Sequence, residues 1–110
     1  LDPEQQNALD QALDLMWAKF LPLIEERVGV LESAAAAFAA NRLSSEDRQA
    51  ASAAAHKLAG VLGTFGLTEG TVLARELENL YTGQCDPDSA LGARLNSIAA
   101  QLHAIVQYRK

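Results

Sequence analysis

The chain has 110 residues, 49% of them hydrophobic and only 5% aromatic, with a formal net charge of -5. That length holds one domain with one modest core, and an apolar content made mostly of Ala and Leu favours packed helices over sheets. An acidic domain with no basic stripe is a poor candidate for binding nucleic acid or an anionic membrane.

No apolar run approaches the roughly 20 residues of a membrane helix, and no signal peptide is visible, so no direct membrane contact is expected. The single cysteine, Cys85, cannot form an internal disulfide, which fits a reducing compartment. It falls in an expected loop and reads as an ordinary thiol. The chain begins at Leu1 rather than Met, as a piece cut from a longer protein would.

In chain order, Asp2-Pro3-Glu4 is a helix start: a capping side chain, Pro at the first helical position and an acid near the positive end of the dipole. Leu9, Leu13, Met16, Trp17 and Phe20 follow at spacings of three and four, an amphipathic pattern in which Trp17 and Phe20 are expected to pack on the rest of the protein. Pro22 interrupts it, because a helix-interior proline loses a hydrogen bond and crowds the preceding turn. The stripe then resumes in phase through Ile24, Val28, Leu31, Ala35 and Phe38. Two helices with a sharp bend and one kinked helix both satisfy this pattern.

Ser44 and Asp47 stand at capping-box spacing and open a segment that runs to about Phe65, with Gly66 as its stop. A helix from about Thr68 to Tyr81 is expected to turn Leu73, Leu77 and Leu80 inward. Asp86-Pro87-Asp88 repeats the opening device ahead of a last helix whose stripe is Leu91, Leu95, Ile98, Leu102 and Ile105. Short connections between these segments favour an antiparallel up-down bundle.

The segment before Gly66 carries the chemistry. At about 100° per residue, Ala51, Ala55, Leu58, Leu62 and Phe65 share one face and form core. His56 lies roughly 200° from Leu58 and points outward. Around it stand Gln49, Ser52, Ala53, Ala59, Gly60 and Gly63, nearly all small, where an outer face usually carries long charged side chains. A helix-interior glycine costs about 1 kcal/mol relative to Ala. Close helix packing is the usual reason for one, but Gly60 and Gly63 share the face of the imidazole, where they give clearance for another macromolecule.

A metal site needs several ligands, and the other histidine, His103, has no cluster beside it and reads as a partly exposed helix residue. A hydrolytic triad lacks its members. Nucleophilic use of the imidazole itself remains; a neutral imidazole nitrogen can attack a phosphorus centre and carry the phosphoryl group as a phosphoramidate. An antiparallel hairpin folded about residue 67 sets position 56 level with Glu78, within a polar stripe of Thr71, Arg75, Glu78 and Thr82. Glu78 then accepts from Nδ1–H of His56 and leaves Nε2 free, while Arg75, one turn away, is a candidate to face phosphoryl oxygens.

The run His56-Lys57-Leu58-Ala59-Gly60, followed by Gly63-Thr64-Phe65-Gly66-Leu67 and then by Leu73 and Leu77-Glu78, resembles the histidine-containing phosphotransfer (HPt) domain across about residues 20 to 105. The resemblance implies an all-α fold, an antiparallel up-down four-helix bundle with an additional N-terminal helix. Here that places the extra helix at about 3–20 and the bundle at about 22–107, a single HPt domain over 1–110. It implies that His56 is the phosphorylated residue, that Gly60 lets a receiver domain dock, and that Glu78 stands beside the imidazole. With the outer-face reading, receiver docking falls to Ser52, Ala53, Ala59, Gly60 and Gly63.

Many members of the family carry Lys three residues after the histidine. This chain has Ala59 there and Lys57 about 100° round the helix, so Lys57 and Arg75 are the candidates for that charge. The implied function is a phosphocarrier that takes its phosphoryl group from a receiver aspartate and passes it to another receiver, with Mg²⁺ on the receiver and no cofactor or catalytic cycle of its own. The implied setting is a monomeric, cytoplasmic domain, within a hybrid histidine kinase or another larger protein. The alternatives are a substrate domain of a chemotaxis-type kinase and a helical docking module that is never phosphorylated.

Overall fold

The computed structural model describes residues 2–83 and 89–109. Cys85 and the Asp86-Pro87-Asp88 helix start lie outside these residues. The described residues form four helices and no strand: α1 (Pro3–Ala39), α2 (Ser45–Thr64), α3 (Thr68–Thr82) and α4 (Ser89–Arg109). Each packs on its neighbours in the order α1, α2, α3, α4 and back to α1, the closed ring of an antiparallel four-helix bundle.

The helix ends follow from local chemistry. The Asp2 carboxylate accepts the Gln5 backbone N–H at 2.8 Å, and the Asp2 N–H donates to the Gln5 side chain at 3.3 Å, a reciprocal cap. α1 ends where Asn41 takes a φ of 56°. The Arg42 N–H then donates to the Ala37 carbonyl at 2.8 Å and the Asn41 N–H to that of Phe38 at 3.0 Å, a Schellman motif with Asn in the left-handed position. Gly66, at φ 73°, ends α2 in the same way, with Leu67 N–H to Leu62 O at 2.9 Å and Gly66 N–H to Gly63 O at 3.1 Å. α2 opens on Ser44, whose hydroxyl oxygen accepts the Asp47 N–H at 3.0 Å.

Pro22 does not end α1. It sits on an exposed part of the helix, as does Ala18 one turn back, so the carbonyl that the proline leaves without a donor can be met by water. The additional N-terminal helix is therefore the front part of α1 rather than a separate element.

Ile24, Leu31, Leu58, Leu62, Leu77, Leu95, Ile98, Leu102 and Val106 form the fully buried centre. Ala51 and Ala55 are fully buried too, and such small side chains let α2 lie close to its neighbours. Several inward assignments shift in detail. On α3 the buried row is Gly70, Ala74, Leu77 and Tyr81, and Leu73 and Leu80 flank it half-buried. Phe65, Leu91 and Ile105 are half-buried as well.

On α1, Trp17 is buried but Leu9, Met16 and Phe20 remain 45%, 41% and 38% exposed. Leu9 lies beyond the end of the bundle, whereas Met16 and Phe20, level with the buried Trp17, are on the side of α1 turned away from the other helices. α4 finishes at Arg109, whose guanidinium meets Asp14 at 2.8 Å, and the end of α2 sets Phe65 edge-on to Trp17 with ring centroids 5.1 Å apart. Every residue from Asp2 to Ala12 is exposed. The molecule measures 52 × 20 × 19 Å, and α1, at about 1.5 Å per residue, spans its length alone. No helix among the described residues is long and apolar enough to cross a membrane.

Candidate functional site

His56 stands in the middle of α2, with its side chain 74% exposed and its Nδ1 2.8 Å from Oε2 of Glu78, whose side chain is 27% exposed. The register comes from the Gly66 turn, which folds α3 back along α2. Two contacts fix the approach of the pair. The Thr71 hydroxyl donates to the Ala59 carbonyl at 3.1 Å. Gly70 is buried against α2 so closely that a Cβ there would lie 2.8 Å from Cδ1 of Leu62, a residue with no exposed surface.

The small residues expected to surround the imidazole divide between two tasks. Gly60 is exposed and a Cβ on it would meet nothing within 4 Å, so close helix packing does not explain it. Ala53 is exposed and Ser52 half-buried. A Cβ at Gly63, by contrast, would sit 3.4 Å from the Thr71 hydroxyl, in ordinary contact with α3. Ala59 is only 4% exposed, which corrects its placement on the docking face. It is turned toward α3, and a helix held between two neighbours buries a wider arc than a stripe centred on Leu58.

A shallow hollow opens beside His56, lined by Arg48, Gln49, Ala53, Lys57, Glu78 and Thr82 among others. Lys57 is thus next to the imidazole, whereas Arg75 is exposed and does not line the hollow. Arg48 was not singled out in the sequence. It lies two helical turns before His56, at the spacing Arg48, Ser52, His56 that marks one helix face. Its guanidinium donates to the Tyr81 carbonyl at 2.7 Å and also to that of Gly83, closing the C-terminal end of α3. Arg48 is therefore a brace between the two helices that carry the site.

The arrangement favours one tautomer. A carboxylate at Nδ1 holds the ring proton there and leaves the Nε2 lone pair toward solvent. When Nε2 takes an electrophile, the imidazolium that forms is stabilised by the same carboxylate. His103, on α4, pairs with Glu32 of α1 through Nδ1 at 3.2 Å. Among the described residues, no group of three or more His, Cys, Asp or Glu side chains is placed to hold a metal ion.

A family model described as "Hpt domain" matches residues 15–108. Protein RcaC of Microchaete diplosiphon is 36% identical over 72 residues, which take in 66% of this chain and 11% of RcaC. The chain therefore corresponds to a small part of that relative. No solved structure matches the chain.

Proposed function

Since the chain belongs to the Hpt-domain family, we propose that it is a phosphorelay carrier in which His56 takes a phosphoryl group from a receiver-domain aspartate and gives it to another receiver. The observation that carries this reading is the exposed imidazole whose Nδ1 is held by Glu78 at 2.8 Å, with open space above Gly60. Transfer begins when the Nε2 lone pair attacks phosphorus in line. The P–O bond of the acyl phosphate breaks, and its electrons return to the aspartate carboxylate. The positive ring keeps its Nδ1 proton against Glu78. Onward transfer reverses these steps on a second receiver.

The domain supplies the nucleophile, its orienting carboxylate and a landing surface of Ser52, Ala53, Gly60 and the edge of Gly63, with Lys57 beside the incoming oxygens. Mg²⁺ and most of the charge stabilisation belong to the receiver. The chain thus acts as one phosphotransfer domain with no catalytic cycle of its own, in the cytoplasm where ATP-fed relays run.

The test is incubation with a receiver labelled on its aspartate. Acid-labile, alkali-stable label on the wild type and none on His56→Gln is the expected result. An unlabelled wild type, or label that persists in His56→Gln, overturns it. Label that arrives only from ATP with a chemotaxis-type kinase assigns the domain to that class instead.

A further inference from the structure

We infer that Arg48 is a positioning residue for the phosphoryl acceptor: by fastening the last turn of α3 to α2 it holds the Glu78 carboxylate against Nδ1 of His56. For its effect on rate the inference rests on the proposed phosphorelay role, while its effect on the imidazole is a property of the unphosphorylated domain.

Glu78 stands in the last turn of α3, which ends at Thr82. That is an unfavourable place for an acid, because the helix dipole has its negative end there, and helix ends open more easily than their middles. α3 has few means of its own to resist this. It has no base in its last turn, and Gly83 after it is extended, with φ -73° and ψ 166°, whereas α1 and α2 each close on a left-handed residue, Asn41 and Gly66. Within α3 the Thr82 hydroxyl donates to the carbonyls of Glu78 at 2.9 Å and Asn79 at 3.2 Å, and the Gly83 N–H donates to that of Asn79 at 2.9 Å. The carbonyls of Tyr81 and Gly83 receive the guanidinium of Arg48, whose fork of N–H groups can reach two acceptors at once. A base from α2 thus supplies the positive charge that this helix end lacks.

Arg48 also completes a set of anchors. About two turns before Glu78, the Thr71 hydroxyl is tied to the Ala59 carbonyl at 3.1 Å and Gly70 is packed on Leu62. One turn after Glu78, Arg48 is tied to the Tyr81 carbonyl at 2.7 Å. Glu78 is therefore held from both sides. Without Arg48 the turn keeps the packing of the buried Tyr81, but apolar packing has no direction and tolerates a small slide of one helix along the other. A slide of about 1 Å carries the 2.8 Å contact between Glu78 and His56 beyond hydrogen-bonding range. The pair does not prevent this by itself, because an ion pair with its imidazole 74% exposed is screened by water. An imidazole released from Glu78 divides its proton between both nitrogens, and a ring protonated at Nε2 has no lone pair there to attack phosphorus.

The tautomer of His56 is read from its ring 15N chemical shifts at a pH where the imidazole is neutral, with His103 in the same spectrum as reference. Arg48→Ala is expected to move proton from Nδ1 to Nε2 of His56 and to leave the His103 signals in place. It is also expected to slow single-turnover uptake from a labelled receiver about 3- to 10-fold, the effect of one net hydrogen bond. Combined with Glu78→Ala it is expected to slow uptake no further than Glu78→Ala alone, since both act through one carboxylate. Arg48→Gln, which keeps one donor, is expected to shift the tautomer in the same direction and serves if Arg48→Ala does not fold. A His56 tautomer unchanged in both variants, an equal change at His103, or a rate loss that multiplies with that of Glu78→Ala overturns the proposal. A wild type that takes no label overturns the phosphorelay reading instead, and the tautomer then decides on Arg48 alone.

Discussion

His56 and His103 each reach a glutamate of a neighbouring helix through Nδ1, at 2.8 Å and 3.2 Å. Both imidazoles are well exposed, at 74% and 52%. Their surroundings differ. His56 looks over Ala53 and the bare backbone of Gly60, with Lys57 at the edge of its hollow. His103 borders a hollow lined by Glu25, Val28, Glu32, Val106 and Gln107, two acids and no base. A second negative charge repels an incoming phosphoryl group, and longer side chains hold a docking protein off. A histidine paired with a glutamate orients a nucleophile, but charge and clearance decide whether anything is delivered to it.

The largest effect expected concerns the two imidazoles directly. In a transfer assay His103→Gln retains full label while His56→Gln has none; label lost from His103→Gln would break the contrast. Next in size is the carboxylate. A charge-assisted hydrogen bond is worth about 1.5–3 kcal/mol, so Glu78→Ala is expected to slow phosphoryl uptake about 10- to 100-fold, measured by rapid quench. Glu32→Ala leaves that rate unchanged and, because its pair is exposed, alters stability by less than about 1 kcal/mol.

Two glycines sharpen the point about clearance. Gly70→Ala forces a methyl group against Leu62 and is expected to cost about 1–3 kcal/mol in denaturant unfolding, as overpacking does. Gly60→Ala has open space for its methyl group and an ordinary helical φ. It is expected to stabilise the fold by up to about 1 kcal/mol while slowing transfer from the receiver. Equal and unchanged transfer in Gly60→Ala would mean that the bare backbone beside His56 is not a landing surface.

Much of this was legible in the sequence because its rules are local. Capping at Asp2 and Ser44, the reversal at Gly66, and the phase that turns Leu58 in and His56 out depend on residues within one or two turns. The level of Glu78 with His56 followed from one further step, counting equal distances from the turn. Arg48 was passed over although its spacing to His56 was visible, because its partners are backbone carbonyls at the far end of α3, and carbonyls carry no residue-type signal.

The sequence by itself determined the helical character of the described residues, the turn at Gly66, and an outward histidine among small residues. The tertiary structure decided which flank of each helix was covered. Ala59 went into the α3 contact and Phe20 stayed out, because a side chain at the edge of a stripe is buried only if a neighbouring helix lies on that side. It also decided that α1 runs unbroken through Pro22, since the cost of a proline depends on whether the carbonyl it frees faces water or protein. Those outcomes rest on contacts between residues far apart in the chain, which no local spacing encodes.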